Sequence, residues 1–284
     1  MRRKDRLVED KNEIRDIFCQ GKTCRIAIVN DDAPYMISSR YTYKFSDNDT
    51  PELYFCSDLR DESSDILKKN GKVCFEIAYT EGVHIDANPG KSTLYYSSII
   101  GTGEIIFPGE PIKPKTALIT SANQSAAKNI IGQGKTCHVA MSDDGFPYIV
   151  PLSYGYSFTS DNTLELYFHS ALEGRKIDAL KNNNKACFEI ESEEEKFVIG
   201  SGEVVFLESD EKLKALTAMF KQQSGKDIVI SDAMAKGVCV YKIVSTDFSV
   251  RLRHTQTTTT QDEKDYIFKI VPTVYTAKRN RKPQ

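Results

Sequence analysis

Residues 21–77 recur as residues 134–190, 113 positions later and without a gap, with 27 of 57 positions identical. A segment written twice is expected to fold twice, because the same order of apolar, turn and breaker residues selects the same local structure in each place. Both copies keep Pro34/Pro147, Tyr35/Tyr148, Tyr41/Tyr154, Tyr43/Tyr156, a Glu-Leu-Tyr-Phe run and a Cys-Phe-Glu-Ile run, as a shared core with shared turns requires. They part company at residues 56–63 (CSDLRDES) against residues 169–176 (HSALEGRK).

A length of 284 residues leaves each copy enough chain for its own core. With 38 basic and 40 acidic residues the net charge is -2, so no global field draws the protein to nucleic acid or to an anionic membrane. A charged ligand has to be recognised locally. The opening MRRKDRLVEDKNEIRD lacks an apolar stretch of signal length, and no run approaches the ~20 apolar residues that span a bilayer. A soluble cytoplasmic protein is therefore expected. The seven cysteines show no C-x-x-C pair and no metal-ligand spacing. Cys24/Cys137 and Cys74/Cys187 sit at equivalent places in apolar runs and read as small buried hydrophobes. His84, His138, His169 and His254 do not cluster, so no metal site is expected.

In each copy the pattern predicts a short helix, then Gly-Lys-Thr-Cys leading into a strand, an acidic turn and a second strand starting at Pro-Tyr. Alternating Tyr-x-Tyr-x-Phe, a polar turn and Glu-Leu-Tyr-Phe follow, then a helix, the Cys-Phe-Glu-Ile strand and a Gly-x-Gly-Glu strand. Glycines in a strand suit a bend or a close backbone approach. The fold class is mostly β with short helices (α+β), each module reading as a small closed or split β-barrel. Val240–Thr246 (VYKIVST) is echoed by Ile267–Thr273 (IFKIVPT), which leads to the expectation that residues 264–278 return to complete the first barrel. The expected domains are residues 1–119 with that strand, residues 120–254, and a linker at 255–263.

The helix after Glu-Leu-Tyr-Phe separates the copies chemically. An α-helix start has unpaired N–H groups and a partial positive charge, so acids belong there. Copy one has Asp61-Glu62-Ser63, whereas copy two has Gly174-Arg175-Lys176, two cations at the wrong end of the dipole. An anion held by Gly174, Arg175 and Lys176 would explain that cost. The plain alternative is a pair of solvated cations on a weakly capped helix.

The strings GKTCHVAM, FPYIVPLSYGY, LELYFHSALEGRKIDAL, KACFEIE and GSGEVVF together resemble the pyridoxamine 5′-phosphate oxidase-like, FMN-binding split-barrel superfamily, in particular its 5-nitroimidazole resistance branch. The resemblance implies two split barrels face to face with FMN in the groove between them, here as an intramolecular pseudo-dimer of tandem repeats. It implies that Arg175, Lys176 and Ser170 hold the FMN phosphate with Gly174. Val150, Pro151, Leu152 and Ser153 would run their backbone along the ring, Tyr154 and Gly155 would continue that wall, and His169 would stand beside it. Tyr96 and Ser98 would line the cleft from across the interface. Copy one departs from the pattern at Met36-Ile37-Ser38-Ser39-Arg40, Cys56 and Asp61-Glu62-Ser63, so its own cleft is expected to be vacant or to hold something else. Tyr154 and Tyr156 have a competing reading as strand packing, since copy one keeps both without the phosphate motif.

The function implied is an FMN-dependent oxidoreductase acting on a small electron-poor molecule such as a nitroaromatic, with NAD(P)H as a candidate electron donor. The flavin carries the chemistry, and His169 is the one candidate for a catalytic acid. The alternative from another class is a flavin-, heme- or other small-ligand-binding protein without turnover, a sensor or scavenger. Further pairing of pseudo-dimers stays open.

Overall fold

The computed structural model describes residues 6–55, 66–85, 92–107, 124–192, 196–228, 230–252 and 268–279. These residues are mostly β with six short helical segments: α1 (Lys11–Gln20), α2 at 66–69, α3 (Gln124–Gln133), α4 (Arg175–Asn182), α5 (Ser209–Ser224) and α6 (Asp232–Lys236). None of the described helices is long and apolar enough to cross a membrane.

Two antiparallel sheets organise the chain. The first joins β3 (Ala33–Ser39), β2 (Cys24–Asn30), β6 (Lys72–Ile85), β7 (Ser92–Ile106), β15 (Phe268–Arg279), β5 (Pro51–Phe55) and β4 (Thr42–Phe45) in that order, with β1 (Leu7–Val8) added on β15. The second joins β9 (Phe146–Ser153), β8 (Thr136–Asp143), β12 (Lys185–Glu191), β13 (Lys196–Leu207), β14 (Cys239–Leu252), β11 (Leu164–Ser170) and β10 (Gly155–Phe158). Strand for strand, the order is the same. In the second sheet the terminal strands β9 and β10 are joined by the single residue Tyr154, so the sheet must curl until its ends meet, yet no ladder closes them into a hydrogen-bonded barrel.

The equivalence extends to side chains. Ile270 stands opposite Leu53 in the first sheet as Ile243 stands opposite Leu166 in the second. Lys269 pairs with Glu52 at 3.0 Å and Lys242 with Glu165 at 2.7 Å. Phe55 stacks on Phe268 with centroids 4.6 Å apart, and Phe168 on Tyr241 at 5.5 Å. The Gly-x-Gly strands are close approaches: a Cβ on Gly103 would lie 2.6 Å from the Val271 carbonyl oxygen, and one on Gly202 2.3 Å from that of Val244. The retained tyrosines tie each sheet to its first helix. The Tyr41 hydroxyl donates to the carbonyls of Phe18 and Gly21 at 2.7 and 3.1 Å, and that of Tyr154 to Ile131 and Gly134 at 2.6 and 3.0 Å. Those carbonyls belong to the unpaired end of a helix, which needs such donors.

Each sheet encloses its own apolar cluster, one around Phe75 and Phe55, the other around Phe188 and Phe168. A third cluster lies between the sheets, where β9 packs on β2 and β6, and β3 on β8 and β12. Side chains alternate across a strand, so every second residue faces the opposite module. Three tiers result. The apolar tier holds Ala27, Met36 and Cys74 against Ala140, Ile149 and Cys187. Two residues further along the same strands is an ionic tier, in which Arg25 binds Glu189 at 2.8 Å and Glu191 at 2.5 Å, Ser38 donates to Glu189, and His138 Nδ1 meets Glu76 Oε2 at 2.5 Å. The third tier opens into a cavity.

Candidate functional site

The turn into α4 needs glycine. Gly174 sits at φ 131°, a region closed to other L-residues, and a Cβ there would meet no neighbour, so conformation and not crowding selects it. Among the described residues no side chain caps the helix: the amides of Ile177 and Asp178 are bonded to the Gly174 carbonyl, and the amides ahead of them have no capping acceptor. Arg175, more than half exposed, binds Asp143 at 2.6 Å and lies over the Tyr148 ring at 4.4 Å from its centroid. That contact parks the guanidinium on the β8–β9 hairpin. Lys176 is different: burial pushes its ammonium down to about 8, and no carboxylate pairs with it among the described residues. His169, at the exposed end of β11, is held below the ordinary histidine range by its desolvating surroundings and then by Lys176. It is neutral at pH 7 in this setting, and it sits next to a cation with no counter-charge.

Ser170 closes the β11 ladder opposite Cys239. On β9 the side chains of Val150 and Leu152 pack on the second module's core, while Pro151 turns toward the other module and lines the cavity. Because β9 ends its sheet, one of its edges carries backbone groups unused by any ladder of the described residues. Beyond Ser153, Tyr154 is fully buried with its hydroxyl on helix α3 and its carbonyl accepting from Gln223 at 3.0 Å. Gly155 is where α5 crosses β10; a Cβ there would lie 2.4 Å from the Met219 backbone nitrogen. The sequence signal for Tyr154 was already present in copy one, which keeps the tyrosine without the phosphate motif, whereas Gly155 is replaced there by Thr42. Tyr96 lines a separate inter-module cavity, and Ser98 is buried within β7. The copy-one positions Cys56, Asp61, Glu62 and Ser63 fall outside the described residues.

The cavity, of about 750 Å³, lies at the other end of β8 and β9. It is lined in equivalent pairs by Gln20/Gln133, Lys22/Lys135 and Thr23/Thr136, with Arg25, His138, Ala78 and Glu191 at its floor. Sequence reasoning gave no role to these residues. The Gly-Lys-Thr-Cys repeat was the available signal, since it places Lys22 and Lys135 at matching strand starts.

Residues 123–252 match the family described as pyridoxamine 5′-phosphate oxidase. That match covers the second copy of the repeat. No curated protein matches the chain. Among solved structures it is similar to a candidate 5-nitroimidazole antibiotic resistance protein from Bacteroides thetaiotaomicron, at 22% identity and TM-score 0.44, over 61% of this chain and 95% of that one. It is also similar to a candidate pyridoxamine 5′-phosphate oxidase from Listeria innocua, at 19% and 0.35, over 45% and 96%. The third is an FAD- and heme-binding protein from Mycobacterium smegmatis, at 14% and 0.41, over 52% and 82%.

Proposed function

We propose that the chain is two split-barrel modules, residues 1–119 with 264–278 and residues 120–254, forming a pseudo-dimer that binds one FMN at the second module. The observation that carries this reading is the α4 opening: an uncapped helix start on a positive-φ glycine, with a desolvated lysine that has no carboxylate partner among the described residues. Those features fit a phosphate dianion, which would take hydrogen bonds from the free amides and neutralise Lys176. Arg175 would exchange Asp143 for the phosphate, Ser170 would add a hydroxyl, and the free edge of β9 at Val150, Pro151, Leu152 and Ser153 would supply backbone groups to the ring. The family of residues 123–252 supports a flavin in this place. When bound, FMN supplies hydride and electron transfer.

The protein's part is to anchor, orient and exclude water. His169, neutral and next to Lys176, is a hydrogen-bond partner and not a standing acid. The activity that this supports is reduction of a small electron-poor molecule, a nitroaromatic being the named candidate, with NAD(P)H as donor.

The test is an FMN titration of the full chain followed by flavin absorbance. Lys176→Ala and Arg175→Ala are each expected to weaken binding by about tenfold or more, as loss of a charge-assisted contact does, while Glu62→Ala at the equivalent copy-one position leaves it unchanged. Equal losses at both positions would refute a single site. Bleaching by NADPH with reoxidation by a nitroaromatic then separates a reductase from a binding protein without turnover.

A further inference from the structure

The ionic tier contains the same arrangement twice, and one of the two is incomplete. On one side Arg25 of the first module is clamped by two carboxylates, Glu189 and Glu191, and the second oxygen of Glu189 accepts from Ser38. Applying the 113-residue offset gives the other side: His138 for Arg25, Glu76 for Glu189, Ala78 for Glu191 and Pro151 for Ser38. Among the described residues His138 therefore has one carboxylate where Arg25 has two, and Glu76 Oε1 is buried without a hydrogen-bond partner. The place of the missing carboxylate is open, since Ala78, His138 and Pro151 all line the 750 Å³ cavity.

We propose that this cavity binds a small aromatic carboxylate, whose carboxylate group takes beside His138 the place that Glu191 takes beside Arg25. His138 Nδ1 is held by Glu76, so Nε2 is the ring nitrogen left for the cavity. Glu76 and the bound carboxylate would flank the ring at its two nitrogens, the arrangement in which each N–H finds a carboxylate oxygen. Lys22 and Lys135 stand at matching positions on the wall and favour an anion. The Lys135 ammonium also donates to the Gln222 carbonyl at 2.6 Å. Tyr79 and Tyr96 line the same cavity and provide aromatic faces for a ring. The site differs from the α4 opening. None of His169, Ser170 and Gly174 to Lys176 lines it, and Thr136 at the cavity is seven residues along β8 from Asp143, the partner of Arg175, on the order of 23 Å. Pro151 is the residue that the flavin wall proposed above shares with this cavity, so FMN titration of the same variants is the control that keeps the two sites apart.

Calorimetric titration of the full chain with benzoate, and with benzamide as its uncharged counterpart, tests it. Benzoate is expected to bind and benzamide not. Ala78→Glu supplies from the protein the carboxylate that the ligand brings, and should weaken benzoate binding by about tenfold or more while leaving FMN titration unchanged. Should that variant fail to fold, Ala78→Leu, which fills the same space without charge, takes its place with the same expected loss. Benzoate binding that survives both substitutions, that is matched by benzamide, that is absent from the unaltered protein, or that is lost in Lys176→Ala but kept in Ala78→Glu, overturns the proposal.

Discussion

The two modules agree in strand order and core contacts and differ at the ionic tier, in the sequence that opens the helix after Glu-Leu-Tyr-Phe, and in α5 and α6, which the described residues show beside the second module. The same strand order, the same lysine–glutamate pairs and the same tyrosine on a helix end occur in both. At the tier between them, however, a guanidinium with two carboxylates faces an imidazole with one. A duplicated core tolerates little change, because close-packed interiors feel every methylene, whereas an interface between non-identical halves can diverge on one side alone. Pseudo-symmetry thus turns an absent partner into an observation: Ala78 and Pro151 are informative only because Glu191 and Ser38 stand opposite them.

The largest expected effect lies at that tier. Arg25→Ala leaves Glu189, fully buried, without its cation and should destabilise the protein by ~3–5 kcal/mol in urea unfolding. His138→Ala should cost clearly less, since it removes one carboxylate contact where Arg25→Ala removes two. Equal losses would mean that the two sides are energetically alike. Gly155→Ala comes next, at about 1–3 kcal/mol, because its Cβ meets α5 backbone that cannot swing away. The equivalent exposed Thr42→Ala should be nearly silent. Tyr41→Phe should cost ~1–3 kcal/mol by stranding the α1 carbonyls. Tyr154→Phe should cost less, since Gln222 also donates to Ile131 and Gly134, at 3.1 and 2.8 Å.

The smallest effect on stability, and the most diagnostic for binding, concerns pH. Lys176 is pushed down to about 8 in the folded chain, so the unfolded state holds the proton more tightly. Its destabilising effect is therefore present below about pH 8 and is relieved as pH rises from there through the ordinary lysine range. Affinity for FMN or inorganic phosphate runs the other way and should fall between about pH 7 and 9 as the ammonium is lost. Lys176→Arg keeps its charge and should flatten that profile; a profile unchanged by the substitution would detach Lys176 from the anion.

Much of the fold was legible because local rules and the repeat agreed. Turn residues such as Asp31-Asp32 and Asp144-Gly145 sit at the positive φ that tight hairpins demand. Helix α6 was not expected, since Asp232–Lys236 is too short to show a period, and β6, β7 and β14 run well past their apolar runs because neighbouring strands extend them. At the site, Gly174, Arg175 and Lys176 stood out through a violated rule, cations at a helix start. Tyr154 looked the same whether it faced a ligand or a helix end, and only burial separated the two.

The sequence by itself determined that two like modules form, with alternating strands, glycines at close crossings and one helix opening of reversed charge, because these depend on neighbours in the chain. Tertiary structure decided what met across the interface. Arg25 and Glu189 are 164 residues apart and His138 and Glu76 are 62 apart, and no local periodicity encodes which buried charge finds which partner. That is set by how one curled sheet seats against the other, and it leaves Ala78 facing a cavity.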